Sequence, residues 1–221
     1  MTLHRGRFLT LEGGEGGGKS TQLRRLADAL RGCGHDVVTT REPGGSPGAE
    51  RLREVLLSGA AEPYGPDAEA VLFAAARVDH VDHTIRPALD AGKWVVCDRF
   101  TDSTRVYQGA VGKVDTRFLI ALEHVAAPGL TPDLTFILDV PPEIGLERAA
   151  ARGKGAAADR FEKEGLAFHA AVRAAFLDLA RSDAGRYVVV DATQPADTVW
   201  QDIRAALKAR LGLALPAQEN A

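Results

Sequence analysis

The chain has 221 residues, of which 45% are hydrophobic and 26% charged, and its formal net charge is −3. This is enough apolar material for a packed core in one α/β domain, and the acidic balance excludes a global positive field that would recruit nucleic acid. No apolar run is long enough for a membrane span, and Met1-Thr2-Leu3-His4-Arg5-Gly6-Arg7 lacks the apolar stretch of a signal peptide. Cys33 and Cys97 have no ligand spacing, so a cytoplasmic protein with two reduced thiols is expected, without nucleic-acid or membrane partners.

The first strand is predicted at 7–12 and a helix at 20–31. A second strand at 36–41 is followed by helices at 49–58 and 66–91. The third strand, 94–98, precedes a helix at 116–126. The fourth, 134–139, leads to a helix at 142–151. A small, flexible, basic segment, 151–158, then joins it to a helix at 160–180. The fifth strand, 187–191, and a helix at 198–211 end the pattern, and residues 213–221 read as a frayed tail. Strands rich in Val, Ile, Leu and Phe alternate with helical spacing, which predicts a three-layer α/β/α fold on a five-stranded parallel sheet. Ligands of such sheets bind at the carboxyl ends of the strands, where Arg41, Asp98 and Arg99 fall.

Gly13-Gly14-Glu15-Gly16-Gly17-Gly18-Lys19-Ser20 matches the phosphate-binding P-loop pattern completely, between a predicted strand and a predicted helix. Glycine permits inward-turned backbone N–H groups, and the helix N-terminus adds a favourable dipole. Lys19 suits the β- and γ-phosphates of ATP, and Ser20 suits Mg²⁺. Asp98, ending an apolar strand, suits the acidic partner that holds Mg²⁺ directly or through water. A P-loop alone permits switches, motors and small-molecule kinases. The guanine-reading Asn-Lys-x-Asp segment of a GTPase is missing. Arg41, Arg77 and Arg99, with Arg148, Arg152, Lys154 and Arg160 around the flexible segment, supply the positive charge that phosphoryl transfer between two anions requires. A phosphate acceptor is already nucleophilic, so the lack of an obvious general base fits the same chemistry.

Thr40-Arg41-Glu42-Pro43-Gly44-Gly45-Ser46, Phe73-Ala74-Ala75-Ala76-Arg77 and Asp98-Arg99-Phe100-Thr101-Asp102-Ser103-Thr104-Arg105-Val106-Tyr107-Gln108-Gly109 resemble the thymidylate kinase family. The resemblance runs from Phe8 to about Leu207. Phe100 is a mild departure, since the family usually has Tyr or His there. The resemblance implies ATP-dependent, Mg²⁺-dependent phosphorylation of dTMP to dTDP by in-line transfer. It implies a P-loop NTPase domain over 1–212 with a short lid at about 148–162, and usually a homodimer, for which the apolar stretches 68–78 and 118–125 could supply the interface. It assigns the ATP site to Gly13, Gly14, Glu15, Gly16, Gly17, Gly18, Lys19, Ser20, Thr21 and Arg148. Phe73 would stack on thymine and Arg77 would bond a base oxygen, with Thr104 also reading the base. Tyr107 would crowd the sugar's 2′ position, and Gln108 would lie nearby. Arg41 would shape the acceptor-phosphate pocket. Glu15 would sit near the acceptor's 3′-hydroxyl or its bound water. Arg99 would bridge the acceptor phosphate and the transferred phosphoryl.

The family divides by where a catalytic basic residue sits. Here Gly14-Glu15-Gly16-Gly17 carries none, so the resemblance places that charge in the lid, on Arg152, with Arg148 and Arg160 supporting. Catalysis would then rest on Lys19, Arg99, Arg152 and Glu15, with Ser20 and Asp98 at the metal. A kinase for another nucleotide or deoxynucleoside, using Glu42 or Asp98 as base, and a partner-activated P-loop ATPase are the rival readings.

Overall fold

The computed structural model describes residues 6–152 and 160–215, with the side chain of Arg152 outside that set. Five strands form one parallel sheet in the order β2-β3-β1-β4-β5. They are β1 (Phe8–Glu12), β2 (Val37–Arg41), β3 (Trp94–Asp98), β4 (Leu134–Asp139) and β5 (Tyr187–Asp191). β1 is buried along its whole length, as a central strand covered on both faces must be. It pairs Leu11 with Asp98 on one side and with Phe136 on the other. Strand order reverses on either side of β1, which opens a crevice at the carboxyl ends.

The helices follow the predicted alternation. They are α1 (Lys19–Gly32), α2 (Pro47–Ser58), α3 (Gly65–His80), α4 (Arg86–Asp90), α5 (Thr101–Thr104), α6 (Thr116–Ala126), α7 (Pro142–Arg152), α8 (Leu166–Ser182) and α9 (Ala196–Leu211). Leu26 and Leu30 of α1 and Ile203 and Leu207 of α9 pack on Leu9, Leu11 and Leu138 in one apolar cluster. Val172 and Phe176 of α8 pack with Ile137 and Tyr187 in another.

Four differences from the expected elements matter. The predicted helix over 66–91 is a continuous rod, but a π-helical turn at Val81–Ile85 separates α3 from α4. Helical structure also covers Thr101–Thr104 and continues as a π-helical segment through Val111. Its polar sequence gives no periodic signal, and burial of Val106 and Tyr107 against Phe161 and Phe176 stabilises it instead. The helix expected from 160 starts at Leu166, because Gly165 is extended and the Arg160 N–H bonds to the Leu57 carbonyl of α2. Leu215, expected in a frayed tail, is buried in the core, and its carbonyl accepts a bond from Arg204. Residues 153–159, Lys154 among them, and residues 216–221 lie outside the described residues.

Candidate active site

The P-loop leaves β1 at Glu12 and enters α1 at Lys19. Gly13 has φ 125° and a Cβ there would lie 2.5 Å from the Leu138 carbonyl oxygen. Gly16 has φ 69° and a Cβ there would lie 2.0 Å from the carbonyl oxygen of Gly145 in α7. Glycine is therefore required at both positions for conformation and for space. The Lys19 ammonium donates to the Gly13 and Gly14 carbonyls at 3.1 and 2.8 Å, which seats it in the hollow of the loop. Burial lowers its pKa, with the nearby Arg99 adding to that and Glu15 and Asp98 opposing it.

A cavity of about 400 Å³ extends from this loop across the carboxyl ends of β1, β2 and β3. Glu15, Gly16, Gly17, Gly18, Lys19, Ser20 and Thr21 line its phosphate-loop end. Phe73, Arg77, Thr104, Tyr107 and Gln108 line the other, with Arg41, Asp98 and Arg99 between. Residues remote in the sequence thus converge on one space. Of the expected ATP-binding residues, Arg148 does not line the cavity. Its guanidinium donates to the carbonyls of Ala192 and Thr193, because α7 carries it alongside the loop after β5. Arg152 is four residues further along α7, and its side chain lies outside the described residues. Arg160, expected as a lid charge, is bound elsewhere: its Nε lies 2.9 Å from Glu69 Oε1 of α3, and its guanidinium stacks 4.6 Å from the Phe161 ring centroid.

Arg99 occupies the middle of the cavity. It is non-glycine at φ 70°, an uncommon conformation for a bulky residue. One Nη donates to Glu15 Oε1 at 2.6 Å, the other to Ser103 Oγ at 3.2 Å, and the guanidinium faces the Tyr107 ring at 5.3 Å. Burial works against its charge, but Tyr107 and the carboxylates of Glu15, Glu12 and Asp98 hold its pKa above the usual value. Behind it, the Glu12 carboxyl is fully buried, and burial, reinforced by Asp102 and opposed by Arg99, pushes its pKa up to about 7.

Arg77 is not a solvated helix residue. It is 3% exposed, its Nε donates to Glu42 Oε2 at 2.7 Å, and its Nη2 reaches Thr104 Oγ1 at 3.0 Å and the Phe100 carbonyl at 3.3 Å. Glu42 also faces His80 Nδ1 at 3.0 Å, so this carboxylate is committed to two partners and is poorly placed to act as a general base. Arg41 keeps an ion pair with Glu50, through both carboxylate oxygens at 3.0 Å, while lining the cavity. Phe100 is core, stacked edge-on against Phe8 at 4.9 Å beneath the Arg77 guanidinium.

Sequence reasoning missed several cavity residues. Arg53 of α2 donates to the Pro43 carbonyl at 2.6 Å and lines the wall beside Arg41. Its spacing from Glu50 and Leu57 on one face of α2 was the available signal. Phe161 meets the Tyr107 ring edge-on at 5.4 Å and lies 6.2 Å from Phe73, closing an aromatic wall. Only the fold brings it there. Glu162 also lines the cavity.

Ser20 Oγ donates to Asp98 Oδ2 at 3.0 Å, and Asp98 Oδ1 is buried without a hydrogen-bond partner among the described residues. An orphaned hard oxygen next to a hydroxyl at the phosphate loop fits Mg²⁺, which takes one or two protein oxygens and completes its shell with phosphate and water. Among the described residues no group of three or more His, Cys, Asp or Glu could hold a metal alone. None of their helices is long and apolar enough to cross a membrane.

The chain's likeness to known proteins extends over this whole arrangement. A thymidylate kinase family profile matches residues 11–203. The thymidylate kinase of Afipia carboxidovorans is 55% identical over 98% of this chain and 95% of its own length. That of Caulobacter vibrioides is 54% identical over 94% of this chain and 99% of its own. The crystal structure of thymidylate kinase from Ehrlichia chaffeensis superposes with a TM-score of 0.73 at 31% identity, covering 92% of this chain and 99% of that one. With a P-loop and an arginine-lined aromatic pocket sharing one cavity, and with these matches, the chain belongs to the thymidylate kinase family.

Proposed function

We propose that this chain transfers the γ-phosphoryl group of ATP to the 5′-phosphate of dTMP, giving dTDP and ADP. The observation that carries the reading is the single cavity in which the phosphate loop and the Phe73–Arg77–Tyr107 pocket face each other across Arg99 and Glu15. A phosphate oxygen of dTMP attacks the γ-phosphorus as the bond to the β-phosphate bridging oxygen breaks, and ADP leaves. The acceptor is an anion, so positioning and charge neutralisation carry the catalysis.

In this reading Gly13 to Thr21 cradle the donor phosphates, with Lys19 beside the transferred group. Arg148 acts on ATP only indirectly, by holding the Ala192 and Thr193 carbonyls. Ser20 and Asp98 would hold Mg²⁺, which would supply charge neutralisation for the donor phosphates. Arg99 bridges the acceptor phosphate and the transferred phosphoryl, and Arg41 and Arg53 shape the acceptor-phosphate end. Phe73 stacks on thymine, Arg77 and Thr104 read its edge, Gln108 lies beside it and Tyr107 crowds the 2′ position. Glu15 orients Arg99 and faces the acceptor sugar, and Arg152 supplies the lid charge. A homodimer fits the apolar side chains exposed on α3 and α6, among them Val71, Ile120 and Val125. A cytoplasmic setting fits two free cysteines, one exposed.

A coupled assay with dTMP, dUMP, dCMP, AMP and thymidine tests the assignment. dTMP should be turned over fastest, and faster turnover of another acceptor refutes it. ATP hydrolysis unaffected by dTMP would favour a partner-activated ATPase instead.

A further inference from the structure

We infer that Glu12 and Ser103 are positioning residues for Arg99: together they hold its left-handed turn and its guanidinium at the point where donor and acceptor meet. The inference rests on the kinase reading above and extends it to Ser103, at the cavity wall, and to Glu12, which does not itself line the cavity.

Glu12 is the last residue of β1, and its carboxylate is 0% exposed. A buried carboxylate at a strand end is costly unless it is fully hydrogen-bonded. Here it takes the place of the next strand residue. The Arg99 N–H still follows the sheet pattern, donating to the Leu11 carbonyl at 2.9 Å. The following N–H, of Phe100, turns instead to Glu12 Oε1 at 2.8 Å, and the Ser103 N–H joins the same oxygen at 3.3 Å. Ser103 Oγ donates to Glu12 Oε2 at 2.6 Å and in turn accepts from Arg99 Nη1 at 3.2 Å. The other arm of the guanidinium is fixed by Glu15. Glu12 therefore holds Arg99 twice, through the backbone turn and through the Ser103 hydroxyl.

A backbone outlier at a functional site persists only where its surroundings over-determine it. Glu12 is that surrounding for φ 70° at Arg99. The hydroxyl has a set polarity: its proton goes to the carboxylate, so a lone pair is left for the guanidinium. In Glu12→Gln an amide N–H₂ must face either the two backbone N–H donors or Ser103 Oγ. The first sets donor against donor. The second reverses the Ser103 bond: the hydroxyl must accept where it donated, and its displaced proton turns toward the side on which Arg99 donates.

Steady-state kinetics of the full chain with ATP and dTMP test this. Glu12→Gln and Ser103→Ala should each lower kcat by about ten- to a hundredfold, as expected for a reacting group displaced by about 1 Å, with the KM for ATP near the wild-type value. Ser103→Thr, which keeps the hydroxyl, should retain most of kcat. The double variant should lose little more than the worse single variant, since the two act as one chain. A merely structural role predicts a lower Tm with kcat intact in the folded protein. Wild-type kcat in Ser103→Ala, equal losses in Ser103→Thr and Ser103→Ala, or multiplicative losses in the double variant would each overturn the inference. If Glu12→Gln does not fold, the Ser103 pair decides it. Failure of wild-type enzyme to use dTMP refutes the acceptor assignment alone, and the same comparison is then made with the acceptor it does use.

Discussion

Arg77→Met separates the two tasks that the structure gives this arginine. Met keeps the aliphatic volume and removes the charge, leaving Glu42 buried with His80 as its remaining side-chain partner. Breaking a buried ion pair by removing one partner costs about 3–5 kcal/mol. For a chain of this size each kcal/mol lowers Tm by about 2–4 °C, so Tm should fall by roughly 6–20 °C. Arg77→Met/Glu42→Gln removes the stranded charge too and leaves only a neutral amide that can still bond His80, so Tm should recover part of the loss. Acceptor binding should not recover. A lost hydrogen bond from a charged donor costs about 1.5–3 kcal/mol, which is about ten- to a hundredfold in the KM for dTMP. Differential scanning calorimetry and a coupled kinase assay on the same two preparations give both readouts. If Arg77→Met melts at the wild-type temperature, the buried pair is not the stability element inferred here. If the double variant keeps the wild-type KM, Arg77 does not read the base.

Phe73→Ala should raise the KM for dTMP about two- to tenfold while leaving the KM for ATP unchanged, since stacking of an aromatic contributes about 0.5–1.5 kcal/mol beyond its area. Gly145→Ala should impair ATP use although Gly145 is outside the P-loop. Its Cβ would lie 2.4 Å from the Glu15 carbonyl oxygen, so backbone must move, and a wild-type kcat/KM for ATP would refute that. Glu12 makes a pH-dependent contribution to stability. Its pKa is raised from 4.5 unfolded to about 7 folded, so the native state binds the extra proton in that window. Its contribution is present below pH 4.5 and is lost as pH rises through about 7. Urea denaturation at pH 5 and pH 8 should therefore show a larger loss for wild type than for Glu12→Gln, and equal losses would contradict the shift.

Much of the architecture was written locally. The central strands were legible because buried parallel strands are continuous apolar runs, the edge strand β2 through its Val and Thr content although it buries none of its residues, and β3, β4 and β5 match residue for residue. The P-loop was legible because Gly13 and Gly18, both at positive φ, followed by Lys19 and Ser20, are a local chemical requirement. The family resemblance named Phe73, Arg77, Thr104, Tyr107 and Gln108, and the structure brings these five into the cavity. The helical segment through Val111 was not legible, since only packing against α8 makes a polar sequence helical. Nor were the partners of the charged groups. Arg160 could equally have been a lid cation, yet it pairs with Glu69, ninety-one positions away. Arg148 binds backbone carbonyls beyond β5 rather than the cavity. Glu12 reads as an ordinary strand-terminal charge until the Phe100 and Ser103 N–H groups are placed over it. Sequence alone determined the repeating strands and helices and the phosphate loop, because those follow from local spacing and residue chemistry. Only the tertiary structure decided which charge meets which, because burial and distance between residues remote in the chain exist only once the sheet has assembled.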